Sequence, residues 1–330
     1  MSLLSRVTRK ARTVVSRSYE RWVLRPASLR LLEAQRDRKL SDPPTFLLGP
    51  PRCGSTLFYQ ALIHRYRFGY FQNRMMDRPS AVPLITSREI PRDSTYRSDF
   101  RNSHGATTDA SGPHEAFPFW RRFYPRRIHD EVDSGALCSH ERDEIRHTVR
   151  FLEEHFRAPF VSKNLEMSLR LRSLQEIFPR AAFVLIRRDP RSVAASILNA
   201  RRELLGDENA WWSMRPASYE SARSKRPWEQ VAEQIISAYE AVRRDLRDPA
   251  ACLEIDYEEF CDDPSGVTDQ VAEFLRSRGV RNLEPSGHEL PPYFARKREL
   301  SLQTEERKGL EARFEAGGLT DWIPFRDLTR

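Results

Sequence analysis

The chain predicts an α/β fold of the P-loop-like, three-layer kind, with a central, mainly parallel sheet flanked by helices. Three observations carry this. Short apolar runs bounded by turn residues alternate with longer segments of helical period along most of the chain. That alternation needs crossover connections, which give parallel strand pairing. A glycine-bounded loop, Gly49-Pro50-Pro51-Arg52-Cys53-Gly54-Ser55-Thr56, joins the first apolar run to the helix behind it.

Residues 1–44 read as a basic helical extension, and 45–330 as the main domain. Leu4, Val7, Ala11, Val14 and Val15 recur at helical spacing with Arg and Lys between them, and Asp42-Pro43-Pro44 breaks the pattern. Either this helix packs on the main domain, or its basic amphipathic face touches an anionic membrane; a flexible tail is the third reading. Thr45 to Gly49 is a short strand, and Ser55 to about Tyr66 a helix. Residues 69–130 hold many Pro, Arg, Ser and aromatic residues without clear period, as expected of a substrate-binding insertion. Regularity then returns. Helices are expected over Glu141–His155, Leu169–Phe178, Pro190–Glu203, Trp228–Leu246, Pro264–Arg278 and Leu302–Phe314. Strands are expected over Phe160–Lys163, Ala181–Arg187 and Ala251–Asp256.

Composition narrows the class. With 39% hydrophobic and 31% charged residues, a solvated globular domain is expected. The net charge is +8, and six of the 55 basic residues are lysine, so arginine carries the excess. Arginine suits bidentate contacts to phosphate, sulfate and carboxylate, although a general compositional bias explains the excess equally well. No zinc-finger, RRM or KH pattern supports a nucleic-acid partner. The cysteines at 53, 138, 252 and 261 form no C-x-x-C pair, so reduced thiols are expected rather than disulfides or a zinc site. No run of about 18 apolar residues predicts a transmembrane helix. Residues 1–22 lack the continuous apolar stretch of a secretory signal. The cytoplasm is the expected compartment, in solution or at a membrane surface.

The 49–56 loop has the spacing of a P-loop, with Ser55 where that motif has Lys. Gly54 permits a tight turn, successive N–H groups form an anion nest, and the following helix N-terminus adds partial positive charge. Ser55 and Thr56 add hydroxyl donors, and Arg52 supplies a cation. A bare strand–turn–helix junction is the bland alternative. A kinase needs the missing Lys and a metal-holding Asp at the end of an apolar strand. The best strand, Phe183-Val184-Leu185-Ile186, instead ends in Arg187-Arg188. Positive charge there repels a metal and invites an anion. Cys53 as a phosphatase nucleophile would want Arg at position 59, which is Tyr.

A second motif, IRRDPRSVAAS, places Arg188 at a strand end and Ser196 about two turns into the next helix. The two can converge on one phosphate; a buried strand and a capped helix is the alternative.

Together the two motifs resemble the sulfotransferases that use 3′-phosphoadenosine 5′-phosphosulfate (PAPS), in their broad bacterial branch. The stretch Arg52-Cys53-Gly54-Ser55-Thr56-Leu57 looks like that family's 5′-phosphosulfate loop. Arg188 and Ser196 match its 3′-phosphate motif. Phe160-Val161-Ser162-Lys163 is similar to the strand whose Lys lies near the sulfuryl group, and Tyr257 matches a Tyr that contacts the adenosine. The resemblance covers roughly 45–290. It implies a metal-free, in-line transfer of a sulfuryl group to a hydroxyl or amine, leaving adenosine 3′,5′-bisphosphate. In that reaction Arg52 and the loop N–H groups hold the leaving phosphate, Lys163 neutralises developing charge, and a general base takes the acceptor proton.

The departures matter as well. Members acting on small phenols and steroids carry a catalytic His two residues after the strand Lys; here that residue is Leu165. The base must come from elsewhere. Glu166 follows Lys163 closely but reads as an exposed helix start. Gly112-Pro113-His114-Glu115 is the better segment: similar bacterial enzymes carry a Pro-x-Glu there, and Phe117, Phe119 and Trp120 can build a partly apolar seat that favours basicity. Glu115 as base and a surface turn with incidental charge are the two even readings of this segment, with His114 behind them. The Arg307-Lys308-Gly309 triplet resembles another 3′-phosphate motif, but its helical context argues against that role; Arg296 or Lys297 can reach the cofactor instead. The acceptor is expected to be a small molecule, lipid or carbohydrate bound by 69–130. A divergent P-loop kinase or a non-catalytic nucleotide-binding protein are the alternatives.

Overall fold

A computed structural model describes residues 18–92, 94–103, 105–125, 127–296 and 302–319. At its centre are four parallel strands: β1 (Thr45–Leu48), β2 (Val161–Lys163), β3 (Ala182–Arg187) and β4 (Cys252–Asp256), in the order β2-β1-β3-β4. The register pairs Leu47 with Lys163, Leu48 with Leu185 and Arg187 with Asp256. All four carboxyl ends therefore open on one edge of the sheet. In open parallel sheets that edge is where ligands bind.

The β1 strand is buried along its whole length, as its unbroken apolar run requires of a central strand. Phe46 meets Phe160, Phe178 and Phe183 at ring distances of 6.4, 5.6 and 6.2 Å. The described helices are α1 (Arg25–Glu33), α2 (Ser55–Arg65), α3 (Val82–Glu89), α4 (Ser139–Phe156), α5 (Leu171–Ile177), α6 (Pro190–Leu205), α7 (Pro227–Asp245), α8 (Tyr257–Asp262), α9 (Pro264–Ser277) and α10 (Thr304–Ala316), with single turns between them. One group, α2 with α9, and another, α6 and α10 on α7, flank the sheet. Three aspartates start helices where the chain leaves the sheet or turns. Asp189 accepts the Arg191 N–H at 2.9 Å, Asp256 the Glu258 N–H at 2.9 Å, and Asp263 the Gly266 N–H at 2.9 Å.

Three expectations change. The 69–130 stretch is not wholly irregular: it contains α3 and a single helical turn, Phe117–Trp120. Proline in the first turn of each hides the helical period. The helix expected from Leu169 starts at Leu171, behind a 3₁₀ turn over Leu165–Leu169. The N-terminal helix ends at Glu33 rather than near residue 40, and it lies against α3 and α4 with Leu24 and Leu32 buried. Leu4 to Val15 lie outside the described residues.

Candidate active site

The carboxyl edge of the sheet floors a cleft of about 770 Å³. Its wall combines the phosphate loop with Lys163, Glu115, Arg188 and Tyr257, each delivered from a different strand end or loop.

The loop is held from both sides. Ser168 Oγ accepts the Gly49 N–H at 3.0 Å. Gly54 has φ +90°, and a Cβ there would fall 2.1 Å from Tyr257 Cε2, so the Tyr257 ring lies flat against the loop. Only glycine meets both demands. Arg188 stacks over that ring, 4.9 Å from its centroid, and Nη1 donates to the Arg52 carbonyl at 2.9 Å. Arg52, itself at φ +66°, donates from Nε to Ser196 Oγ at 2.9 Å. The two motifs that the sequence shows 144 residues apart thus touch. Ser55, Thr56 and Leu57 open α2 in the cleft wall. The residues fit an anionic nucleotide: backbone N–H groups, a helix N-terminus, hydroxyls and two guanidinium groups line one pocket. Among the described residues, no cluster of three or more His, Cys, Asp or Glu is placed to hold a metal ion.

Lys163 ends β2 with only 2% of its side chain exposed. Its ammonium donates to Thr56 Oγ1 at 2.9 Å and pairs with the Glu115 carboxylate. Asn164, next in the chain, donates to the Glu115 carbonyl at 2.8 Å and so fixes the Glu115 backbone. Thr56 also donates to the Gly105 carbonyl at 3.3 Å, bringing Phe100, Arg101 and Asn102 over the loop. A buried cation between a hydroxyl and a carboxylate can trade its partner for an incoming anion and release the carboxylate.

Several sequence expectations are corrected here. His114 does not line the cleft; its Nδ1 accepts the Ala116 N–H at 2.7 Å. Burial, and secondarily Lys163, holds its pKa below the usual imidazole value. Ser196 and Cys53 sit behind the wall, Ser196 reaching it only through Arg52. Burial pushes the Cys53 thiol up, against its use as a nucleophile. Glu166 is no exposed cap. Its side chain is 3% exposed, held by Arg121 at 3.0 Å and Arg170 at 2.9 Å. Asn164 does the capping, accepting the Glu166 N–H at 3.0 Å. Arg296 turns away to pair with Asp262 and the Glu258 carbonyl, and Lys297 lies outside the described residues. Gly309 serves helix packing, since a Cβ there would meet the Trp228 ring at 2.4 Å.

The rest of the lining was foreseen only where it falls within 69–130, the stretch that supplies Phe100, Phe117 and Arg121. Phe100, Leu165, Trp212 and Phe294 give it apolar area, and Arg121 gives it charge. Of the aromatic run at 117–124, only Phe117 reaches the cleft, whereas Phe119, Trp120, Phe123 and Tyr124 are buried in the core. Trp212 follows Trp211 and Phe294 follows Tyr293, but both pairs lie in loops without a period, so the pattern along the chain does not assign them to a site.

With this geometry in hand, the comparisons with known proteins are specific. A model of the sulfotransferase family matches residues 43–278, and the chain belongs to that family. It is 23% identical over 270 residues to the omega-hydroxy-beta-dihydromenaquinone-9 sulfotransferase Stf3 of Mycobacterium bovis and of Mycobacterium tuberculosis. That alignment takes in 74% of this chain and 65% of those relatives, so the chain spans about two thirds of their length. Among solved structures, sulfotransferase STF9 from Mycobacterium avium superposes with a TM-score of 0.54 at 16% identity, covering 93% of this chain and 83% of that one. Sulfotransferase STF1 from Mycobacterium tuberculosis gives 0.50 at 14% identity, covering 90% and 79%. These likenesses support the P-loop-like fold.

Proposed function

We propose that this chain is an enzyme that transfers a sulfuryl group from PAPS to the hydroxyl of an apolar, lipid-like acceptor. One observation carries the reading: Lys163 lies between Thr56 of the phosphate loop and Glu115, at the floor of a cleft lined by anion-binding groups. The donor supplies the sulfuryl group, and everything else falls to the chain. Arg52 and the loop N–H groups hold the 5′-phosphate, and Arg188 holds the 3′-phosphate. Tyr257, flat against Gly54, supports the adenosine end. Lys163 exchanges Glu115 for an oxygen that gains charge during transfer. Glu115 Oε1 then takes the acceptor proton.

The acceptor side rests on Phe100, Phe117, Leu165, Trp212 and Phe294, whose rings and side chain suit an apolar body better than a carbohydrate. The Stf3 relatives, by their name, act on a modified menaquinone, which agrees with this choice. A divergent P-loop kinase is disfavoured by Ser55 at the Lys position and by Arg187-Arg188 at the strand end.

The test is Glu115→Gln, which keeps shape and removes basicity. Turnover should fall by about 10²-fold or more with nearly unchanged affinity for adenosine 3′,5′-bisphosphate. Full turnover in Glu115→Gln together with its loss in His114→Ala would give the role to His114. A thermal shift with bisphosphate, and none with ATP and Mg²⁺, separates this reading from the kinase.

A further inference from the structure

The segment leading into α1 buries one side against the fold and leaves large apolar side chains exposed. Glu20, Leu24, Ser28 and Leu32 recur every four residues and form the inner stripe. Leu24, Ser28 and Leu32 are buried, and Glu20 accepts the Ser80 N–H at 2.9 Å. On the outer side, Tyr19, Trp22 and Val23 stand 51%, 71% and 49% exposed. The turn Glu20–Leu24 is π-helical and runs straight into α1; within it Leu24 is buried, whereas Trp22 and Val23, with Tyr19 just before them, are exposed together. Arg21 lies 5.2 Å from the Trp22 ring centroid, so a cation sits against the aromatic surface. The sequence before this patch, residues 1–17, carries five Lys or Arg and no Asp or Glu.

We propose that Tyr19, Trp22 and Val23, with Arg21, form a docking surface for an anionic lipid bilayer. Tryptophan and tyrosine favour the headgroup boundary, where the ring is desolvated and the polar edge stays wet, and arginine beside them meets anionic headgroups. Charge complementarity selects this occupant over a second copy of the chain, whose own patch and leading sequence would bring like charges together. A relay of contacts connects this segment to the cleft lining. Ser80, held by Glu20, follows Pro79, whose carbonyl accepts Arg122 Nη1 at 3.3 Å, and Arg121 lines the cleft. The proposal stands whatever reaction the cleft performs.

The test uses the full chain and two kinds of large unilamellar vesicle: phosphatidylcholine alone, and phosphatidylcholine with about one third phosphatidylglycerol. Wild type should co-sediment with the anionic vesicles and much less with the neutral ones, and 0.5 M salt should weaken that binding. Changing Tyr19, Trp22 and Val23 together to Ser should lower the partition coefficient by about tenfold or more. Arg21→Gln should lower it by about fivefold on anionic vesicles only. Because these side chains are exposed, the melting curve should be unchanged. As a second readout, brominated lipid should quench wild-type fluorescence, and Trp22→Phe should remove much of that quenching. Equal partition of wild type and the triple variant overturns the proposal. So does a concentration-dependent dimer that the triple variant abolishes in the absence of vesicle binding, which would make the patch a self-association surface.

Discussion

Gly54→Ala tests the contact on which the whole cleft depends. At φ +90° an alanine carries left-handed strain of about 1–2 kcal/mol. Its methyl would also lie 2.1 and 2.2 Å from Tyr257 Cε2 and Cδ2, so the ring must move, an overpacking cost of about 1–3 kcal/mol. Together these predict a stability loss of roughly 2–5 kcal/mol, read by guanidinium unfolding. Arg188, stacked on the same ring, should be displaced with it. Calorimetry should therefore show at least about tenfold weaker binding of adenosine 3′,5′-bisphosphate. The steric part is separable. In a Tyr257→Ala background the clash is gone and the strain remains, so Gly54→Ala should cost about 1–3 kcal/mol less there. Equal costs in both backgrounds, or unchanged bisphosphate affinity, would refute the packing argument.

Three further outcomes follow from named groups. Arg188→Ala should weaken bisphosphate binding about 10- to 150-fold by calorimetry, the worth of one charge-assisted contact of about 1.5–3 kcal/mol. Cys53→Ala should keep steady-state turnover within about twofold of wild type, because the buried thiol stays protonated and takes no part. Glu258 should make stability pH-dependent: burial, and secondarily Asp256, raises its pKa to about 7 from an ordinary value of 4.5. A carboxyl raised on folding favours the native state in its protonated form. Its contribution is therefore complete below about pH 4.5 and lost as pH rises through 7. Glu258→Gln cannot ionise, so it should gain on wild type between pH 4.5 and 8 in unfolding midpoints.

The sequence by itself determined the scaffold and singled out the residues of the 49–56 loop and Arg188 in the cleft. Short apolar runs at Thr45–Leu48 and Ala182–Arg187, each followed by turn residues, read as buried strands, and proline and aspartate at 189–190 and 263–264 marked where helices begin. Arg52, Gly54, Ser55 and Thr56 were legible because the loop is local, one short segment carrying its chemistry, and Arg188 because a cation ends an apolar strand. The tertiary structure alone decided how the site residues meet. Lys163 and Glu115 are 48 residues apart, and nothing in either segment says that they pair. The contact appears when β2 is laid beside β1 and the 100–121 loops fold over their ends. Glu166 shows the same limit in reverse, since its neighbours in sequence suggested solvent whereas Arg121 and Arg170 enclose it. The apolar wall is the extreme case. Phe100, Phe117, Leu165, Trp212 and Phe294 come from separate loops and single helical turns with no shared period. Periodicity reports which way a residue faces within one element, whereas a cleft wall is assembled between elements, by the packing that sets their distances.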